Sequence, residues 1–202
     1  CDDYLLSYTA GLLNQTFGSR LPLVGDIAAM ECAPESKEFT VWFNPNSGSR
    51  WRYLFGPGTV LPAHAIAHRS GMSVEELNAA LHAQDPSMLE DVAQTWREGF
   101  STEPGHFDPE LQVSFGPYVI DRVEDSGAIV LKANDSYYGD KPELDEVVVW
   151  PDTTDASALV ESEELRVAES HLKEPSWLDR NAEGNPFDVT PVVGTLTDTF
   201  TF

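Results

Sequence analysis

The stretch Phe115-Gly-Pro-Tyr-Val-Ile-Asp121, followed by Ile129-Val-Leu-Lys-Ala-Asn-Asp-Ser-Tyr-Tyr-Gly-Asp-Lys-Pro142 and Leu144-Asp-Glu-Val-Val-Val149, decides the fold of the second half of the chain. Its apolar runs predict strands over 118–123 and 128–132, joined as a hairpin across a turn that contains Gly127. A turn-rich loop then leads to a third apolar strand over 146–150.

The first half of the chain combines helices with one further hairpin. A helix is predicted over 2–13, where Asp2 and Asp3 suit the positive end of the helix dipole. Strands over 27–32 and 38–43 predict a hairpin, because Phe39, Val41 and Phe43 alternate with Thr40 and Trp42 in the second strand. Further helices are predicted over 63–69, over 73–82 behind a capping box of Ser73 and Glu76, and from Pro86 to near Gly99, with a short helix or turn over 50–55.

The rest of the chain extends this mixed α/β pattern. Residues 14–25 are predicted as a loop, 155–161 as a short helix, and 165–168, 187–193 and 197–202 as strands. The composition changes near Gln112, and the chain contains no internal repeat. The alternating Thr199-Phe-Thr-Phe202 ends on a strand pattern, so we expect an excised piece of a longer protein.

Charge and composition exclude several classes of protein. The chain has 202 residues with 12 Lys+Arg and 34 Asp+Glu, a formal net charge of −22. Such a charge repels nucleic acid and makes an anionic membrane surface a poor partner. A hydrophobic fraction of 41% with 10% aromatic residues is too high for a disordered acidic tail. No apolar run approaches the roughly 18 residues of a membrane-spanning helix.

The two cysteines, Cys1 and Cys32, leave two interpretations open. In an intracellular protein they would be unrelated thiols. In an exported protein they would form a disulfide that closes a loop of about 30 residues, worth roughly 3–4 kcal/mol in the chain-entropy treatment. Neither cysteine has a histidine at the spacing of a zinc site.

No pattern of catalytic or metal-binding residues stands out. His64 and His68 have the i, i+4 spacing of a metal pair, but neither the glutamate of the matching motif nor a third ligand accompanies them. We therefore interpret both as solvated or packing residues, and we expect no ligand among the other histidines. Nucleophile and phosphate-loop motifs are absent from the sequence, and with 34 carboxylates chance pairs are expected. No catalytic residue, metal site or cofactor is predicted.

The opening stretch resembles one family, the peptide/nickel-type (family 5) extracytoplasmic solute-binding proteins of ABC transporters. Members carry a Gly-Pro-Tyr strand opening, a hairpin, an Asn-x-x-Tyr loop that ends in Lys-Pro, and an apolar strand, in this order. Asp2-Asp3, Phe39-Thr-Val-Trp-Phe43 and Val60-Leu-Pro-Ala-His64 resemble further family segments, although Ala63 replaces a lysine. The cysteines and the acidic composition resemble actinobacterial lipoproteins of this family.

The resemblance implies a periplasmic-binding-protein-like (type II) α/β fold, of which this chain is a lobe-one fragment with a mixed sheet, hairpins and flanking helices. Residues 1–112 would form the accessory domain of the family, and 113–202 part of lobe one with the approach to the inter-lobe crossing. Such proteins capture oligopeptides between two lobes that close by a hinge motion, without catalysis.

The same resemblance implies which loops face the cleft and where the protein works. The expected ligand-binding residues lie in three loops: Phe17 and Arg20, Gly56 and Thr59, and Ser114, Phe115 and Gly116. A disulfide between Cys1 and Cys32 is predicted. The full-length protein would be an extracytoplasmic, lipid-anchored monomer that delivers a peptide or other small solute to permease subunits.

Alternative functions remain open on the sequence alone. A binding protein of the same fold could take nickel, haem or an oligosaccharide. A secreted hydrolase would instead carry two acids about 5–10 Å apart in one pocket. A surface interaction module that has lost transport is a third possibility.

Overall fold

Residues 1–22, 24–56, 58–168, 175–179 and 181–190 are described in a computed structural model of the chain. Their contacts divide the chain into two compact units, Cys1–Pro151 and Asp152–Phe202. The boundary predicted near residue 112 lies inside the first unit, and it stays a prediction about the lobes of the full-length protein.

Among its described residues, the first unit contains five α-helices and five strands, and the described part of the second contains one helix. The helices are α1 (Asp2–Leu12), α2 (Asn14–Phe17), α3 (Ala63–Arg69), α4 (Val74–Ala83), α5 (Glu90–Glu98) and, in the second unit, α6 (Ala156–Glu161). The strands are β1 (Ile27–Cys32), β2 (Phe39–Phe43), β3 (Tyr118–Val123), β4 (Ile129–Ala133) and β5 (Glu146–Val149). Short 3-10 helices cover Val24–Asp26, Gly48–Tyr53 and Pro86–Met88.

Helices α1, α3, α4 and α5 surround the hydrophobic core of the first unit. The predicted capping box begins α4: Ser73 Oγ accepts from the Glu76 backbone N–H, and the Glu76 carboxylate accepts from that of Ser73. Both bonds satisfy donors that a helix start leaves free. The largest fully buried core side chains are Leu6, Phe17, Ile66, Leu77, Leu81, Leu89 and Val92.

The first hairpin is joined covalently to the start of α1. Cys1 and Cys32 form a disulfide with their Cα atoms 5.8 Å apart. The backbone nitrogen of Cys1 donates to the Ser36 carbonyl at 2.9 Å, and the Tyr4 ring stacks on Phe39 with centroids 4.6 Å apart. These contacts hold the antiparallel β1–β2 pair against the helical core.

Strands β3, β4 and β5 form a second antiparallel sheet in that order, with an irregularity in β3 between Ile120 and Arg122. Cross-strand pairing places eight apolar residues on one face, and none of them is buried. The opposite face carries the fully buried Val130 together with charged side chains, with ion pairs from Arg122 to Glu146 at 3.4 Å and from Lys132 to Asp121 at 2.8 Å. The apolar face consists of Tyr118, Ile120, Val123, Ile129, Leu131, Ala133, Val147 and Val149.

The described residues correct the expected sheet. The prediction of a mixed sheet is wrong for them, because every pairing in both of their sheets is antiparallel. The reason is local connectivity. The connections of β1–β2 and β3–β4 are too short for a parallel crossover, and the longer connection of β4–β5 is a turn-rich loop that contains no helix.

Three predicted elements also differ in the structure. The last helix of the first half begins at Glu90 rather than Pro86, because 86–88 forms a 3-10 helix and Leu89 leaves helical geometry. Residues 14–17, predicted as loop, form α2. Residues 165–168 are not a strand, since the Leu165 N–H donates back to Leu159 and closes the end of α6.

The predicted terminal strands are tested only in part. Residues 187–190 contain no strand pairing, although the Phe187 ring packs edge-to-face on Trp177 at 6.0 Å. His171, residues 191–193 and the strand predicted over 197–202 lie outside the described residues. Within the described part of the chain, no helix is both long and apolar enough to cross a bilayer.

Candidate functional site

The turn before β3 is fixed by one side chain from the loop after β4. Asn134 Nδ2 donates to the Gly116 carbonyl at 2.9 Å and to the Ser114 carbonyl at 3.2 Å. Asn134 Oδ1 accepts from the Ser136 N–H at 3.0 Å, and Ser114 Oγ accepts from the Gly116 N–H at 2.9 Å. Since Asn134 meets both segments, the turn and the loop form one rigid corner at this end of the sheet.

This corner presents apolar groups to solvent. The Phe115 ring is 79% exposed, although phenylalanine is usually buried. A Cβ atom at Gly116 would lie 3.2 Å from Ser114 Oγ, the atom that accepts the Gly116 N–H. The turn is thus ordered with Phe115 accessible to solvent, and the assignment of Ser114, Phe115 and Gly116 to ligand binding stays a prediction. The sequence predicts no role for Asn134 in the site. Its place at a strand end, two residues before a serine, is nevertheless typical of an Asx turn.

The predicted loop at Gly56 and Thr59 is anchored to α1. Thr59 Oγ1 donates to the Gly56 carbonyl at 2.7 Å, and the Thr59 carbonyl accepts from Ser7 Oγ at 2.8 Å. Gly58 has φ +77°, a conformation that favours glycine. Because Ser7 is buried, its hydrogen bond attaches this turn to the helical core.

The third predicted loop offers solvent only one of its two named side chains. Phe17 is 1% exposed and packs edge-to-face on Trp96 with centroids 5.8 Å apart, which makes it a core residue between α2 and α5. Arg20 is exposed. A ligand contact at this loop would therefore come from Arg20 or from backbone, and the assignment of both residues stays a prediction.

The structure ties two of the three loops to the same helical framework. The 17–20 loop follows α2, which packs on α1, and the 56–59 turn bonds to Ser7 of α1. Among the described residues, the hydrogen bonds of the 114–116 turn are made within the turn or to Asn134.

His64 and His68 are both exposed on α3. His68 Nδ1 lies 2.9 Å from Glu110 Oε1, so this ring is already engaged by a carboxylate. In the ranges that the structure describes, no group of three His, Cys, Asp or Glu side chains is arranged to hold a metal ion.

An open depression of about 720 Å³ lies between the end of α3, α5 and the 101–111 loop. Arg69 lines it, with its guanidinium 2.7 Å from Asp108 and 2.8 Å from Glu110. The hydrogen bond from Arg69 lowers the pKa of Asp108 below its ordinary range. The general acid of a glycosidase needs a raised pKa, so Asp108 is unsuited to that role. The acidic side chains lining the depression are Asp91, Glu98, Glu103 and Asp108.

Replacing Asp108 with asparagine should lower stability by about 1 kcal/mol at pH 7, because the Arg69 pair is lost. The native pKa of Asp108 is depressed, so its contribution is present above the unfolded pKa of about 4 and disappears as the pH falls through the native value. Urea unfolding at pH 7 and pH 3 measures this. The Glu103→Gln control should show no such difference, and a D108N deficit that persists undiminished at pH 3 would contradict the ion-pair account.

Replacing Asn134 with alanine should make the turn that carries Phe115 more mobile. Three hydrogen bonds are removed, and we expect a loss of about 1–2 kcal/mol in the free energy of unfolding. Amide hydrogen exchange should accelerate at Ser136, whose N–H loses its acceptor. Asn134→Asp is the matched control, because it keeps that acceptor and removes only the donors to 114 and 116. Equal exchange at Ser136 in wild type and N134A would show that the side chain does not organise the loop.

Comparison with known proteins places most of the chain in one family. Residues 38–195 match the model for bacterial extracellular solute-binding proteins, family 5 Middle. Uncharacterized lipoproteins of Mycobacterium bovis and Mycobacterium tuberculosis are each 31% identical to the chain over 175 residues, covering 84% of this chain and 31% of each relative. A lipoprotein of Mycobacterium leprae is 30% identical over 172 residues.

The chain spans about a third of the length of these curated relatives. No solved structure matches it significantly. The family match covers the 56–59 turn, the Ser114–Gly116 corner and Asn134, and the relatives are mycobacterial lipoproteins, as the resemblance to actinobacterial members predicted. The chain therefore belongs to the family 5 extracellular solute-binding proteins of bacteria.

Proposed function

We propose that the full-length protein is the receptor of an ABC importer and captures oligopeptides in a cleft between two lobes. The family match over residues 38–195 carries this proposal. Binding proteins of this kind hold their solute between lobes that close by a hinge motion, and they need no catalytic group. The chain is accordingly proposed to bind and release its solute without chemical change.

Within that protein, residues 1–112 are proposed to form the accessory domain and 113–202 part of lobe one. The apolar face of the β3–β4–β5 sheet supports this assignment. Its eight side chains are all at least partly exposed, and Val149 is 46% exposed. An apolar sheet face normally packs against another layer. Since the relatives are about three times as long, further polypeptide of the full-length protein is the natural cover.

The solute contacts of this chain are proposed to lie in the three loops already described. Extended peptides are recognised largely through main-chain hydrogen bonds, with looser pockets for side chains. The exposed Phe115 ring on its rigid turn suits an apolar side chain of the peptide, and Arg20 suits a carboxylate or carbonyl group. Anchors for the peptide termini are proposed to lie in lobe two.

The protein is proposed to be extracytoplasmic and attached to the cell surface by a lipid anchor in its full-length form. The lipoprotein relatives support this placement. Its proposed partners are the permease subunits of the importer, and it is proposed to act as a monomer. A disulfide between Cys1 and Cys32 is compatible with an oxidising compartment.

The test is to purify the full-length protein through its native export pathway and to identify by mass spectrometry the small molecules that accompany it. A mixture of short peptides is the expected result. One defined nickel complex, haem or oligosaccharide would keep the binding role and overturn the peptide assignment. An empty protein that turns over members of a substrate panel would overturn the receptor assignment itself.

A further inference from the structure

The short 3-10 helix Gly48–Tyr53 presents its side chains to solvent and buries none of them. Its last four residues, Arg50 to Tyr53, are all exposed, with Trp51 at 52% and Tyr53 at 74%. The chain is anchored on either side instead: Ser47 is buried before the helix, and Phe55 packs against the core after it. The fold therefore gains no core packing from two arginines and two large aromatic rings.

The same region interrupts the acidic character of the chain. Residues 39–74 contain three arginines and no Asp or Glu, although the whole chain has 34 acidic residues in 202. Arg50 lies 3.4 Å from Asp26 and keeps a 58% exposed side chain. The Arg52 guanidinium lies over the Trp51 ring, 4.7 Å from its centroid, and it has no ion pair with any described residue. The patch Arg50–Tyr53 is locally cationic on a strongly anionic protein.

We propose that the patch Arg50–Tyr53 contacts an anionic phospholipid surface. Trp and Tyr rings favour the membrane–water interface, where an apolar body and a polar edge are both accommodated. An arginine beside them reaches phosphate groups while its stem covers apolar surface. The net charge expected to repel membranes is a sum over the whole chain. At physiological ionic strength, the interaction of exposed charges more than about 8 Å apart is largely screened.

This proposal rests on the proposed lipid anchor for its role in the cell. Two arginines give weak attraction to a bilayer, on the order of a fivefold gain in binding each. An anchored protein stays close to the membrane, and the resulting effective concentration makes a weak contact sufficient. The contact would fix how the domain faces the surface to which it is attached.

The test uses the full 202-residue chain and vesicles, without solute or acyl anchor. One vesicle set is phosphatidylcholine, and the other contains about a third phosphatidylglycerol. Binding is followed by sedimentation and by the blue shift of tryptophan emission. We expect binding to the anionic vesicles to exceed binding to the neutral ones, and to weaken as salt is added.

Matched variants separate the patch from general effects. Arg52→Ala should weaken binding to anionic vesicles about fivefold, and the double variant Arg50→Ala/Arg52→Ala about 25-fold. Tyr53→Ser should weaken binding to both vesicle sets about tenfold through lost apolar burial. The controls are Lys37→Ala, an exposed cation outside the acid-free region, and Tyr138→Ser, a ring that is 87% exposed beside acidic residues. Both controls should bind as the wild type does.

The proposal is overturned if the wild type binds neither vesicle set at millimolar lipid, or if patch and control variants lose equal vesicle affinity. Binding to polyglutamate is measured as well, and binding to it but to neither vesicle set would also overturn the proposal. The last result would assign the patch to an acidic protein partner. Arg52→Ala removes no ion pair with a described residue, so its folding should match the wild type by circular dichroism. Solute capture by the full-length protein is measured separately, so either proposal can fail while the other stands.

Discussion

Replacing Cys1 and Cys32 together with alanine is expected to lower the free energy of unfolding by about 3–4 kcal/mol. The disulfide closes a sequence separation of 31 residues, and without it the unfolded chain recovers the entropy of that loop. Cys32 is also buried, so its truncation removes apolar contacts as well. In a domain of typical marginal stability, this loss is a large part of the total free energy of unfolding.

The measurement is urea unfolding of wild type and double variant, each with and without a reductant. Reductant should destabilise the wild type and leave the double variant unchanged, which isolates the bond from other effects of the reagent. Thiol titration of the exported, denatured protein should find no free thiol. Two free thiols, or a wild-type midpoint that reductant does not move, would contradict the prediction.

The loss should begin locally before it becomes global. The disulfide fixes Cys1 against the hairpin, beside the stack of Tyr4 on Phe39 and the edge-to-face contact of Tyr4 with Phe55 at 4.9 Å. Without the bond, the hairpin is held to α1 by these rings and by the hydrogen bonds of Cys1 and Asp2 to its turn. We therefore expect hydrogen exchange in β1 and β2 to accelerate more than exchange in α4, whose capping box is unaffected.

The elements that sequence reasoning predicted correctly are those with strong local signals. The capping box at Ser73 and Glu76 determined the start of α4, and the spacing of Phe39, Val41 and Phe43 at every second position determined β2. The predicted start of α5 at Pro86 is wrong, because Asp85 and Pro86 can begin a 3-10 helix as well as an α-helix. Residues 165–168 are predicted as a strand, but the Leu165 N–H bonds back to the end of α6. Local composition does not indicate such a bond.

The candidate site was harder to predict from the sequence, because its contacts join residues that are distant along the chain. The exposed turn at Phe115 was identified from its neighbours in the family motif, but the side chain that fixes it, Asn134, lies 18 residues beyond Gly116. Phe17 is predicted to lie in a binding loop, but it lies on α2, over residues that the sequence predicts as loop. Its ring packs there against Trp96 of α5. Long-range partners of a residue follow from packing, which a single sequence does not display.

Replacing Asp2 with alanine is the second substitution with a large expected effect. The Asp2 carboxylate is 9% exposed and accepts two hydrogen bonds of 2.9 Å, from Asn78 Nδ2 and from the Glu35 N–H. It thereby links α1 to α4 and to the turn of the first hairpin. Removing it leaves the amide of Asn78, itself 5% exposed, without this acceptor. We expect a loss of about 2–4 kcal/mol, since a buried donor without a partner carries its full desolvation cost.

A double-mutant cycle isolates that interaction. Asp2→Ala, Asn78→Ala and the double variant, compared by urea unfolding, should give a coupling energy of about 1–2 kcal/mol. Asp2→Asn should fall between wild type and Asp2→Ala, because one amide oxygen can still accept. Glu38→Ala, an exposed acid at the same hairpin, should change stability by less than about 0.5 kcal/mol. A coupling energy near zero would contradict the prediction that the bond between Asp2 and Asn78 stabilises the contact of α1 with α4.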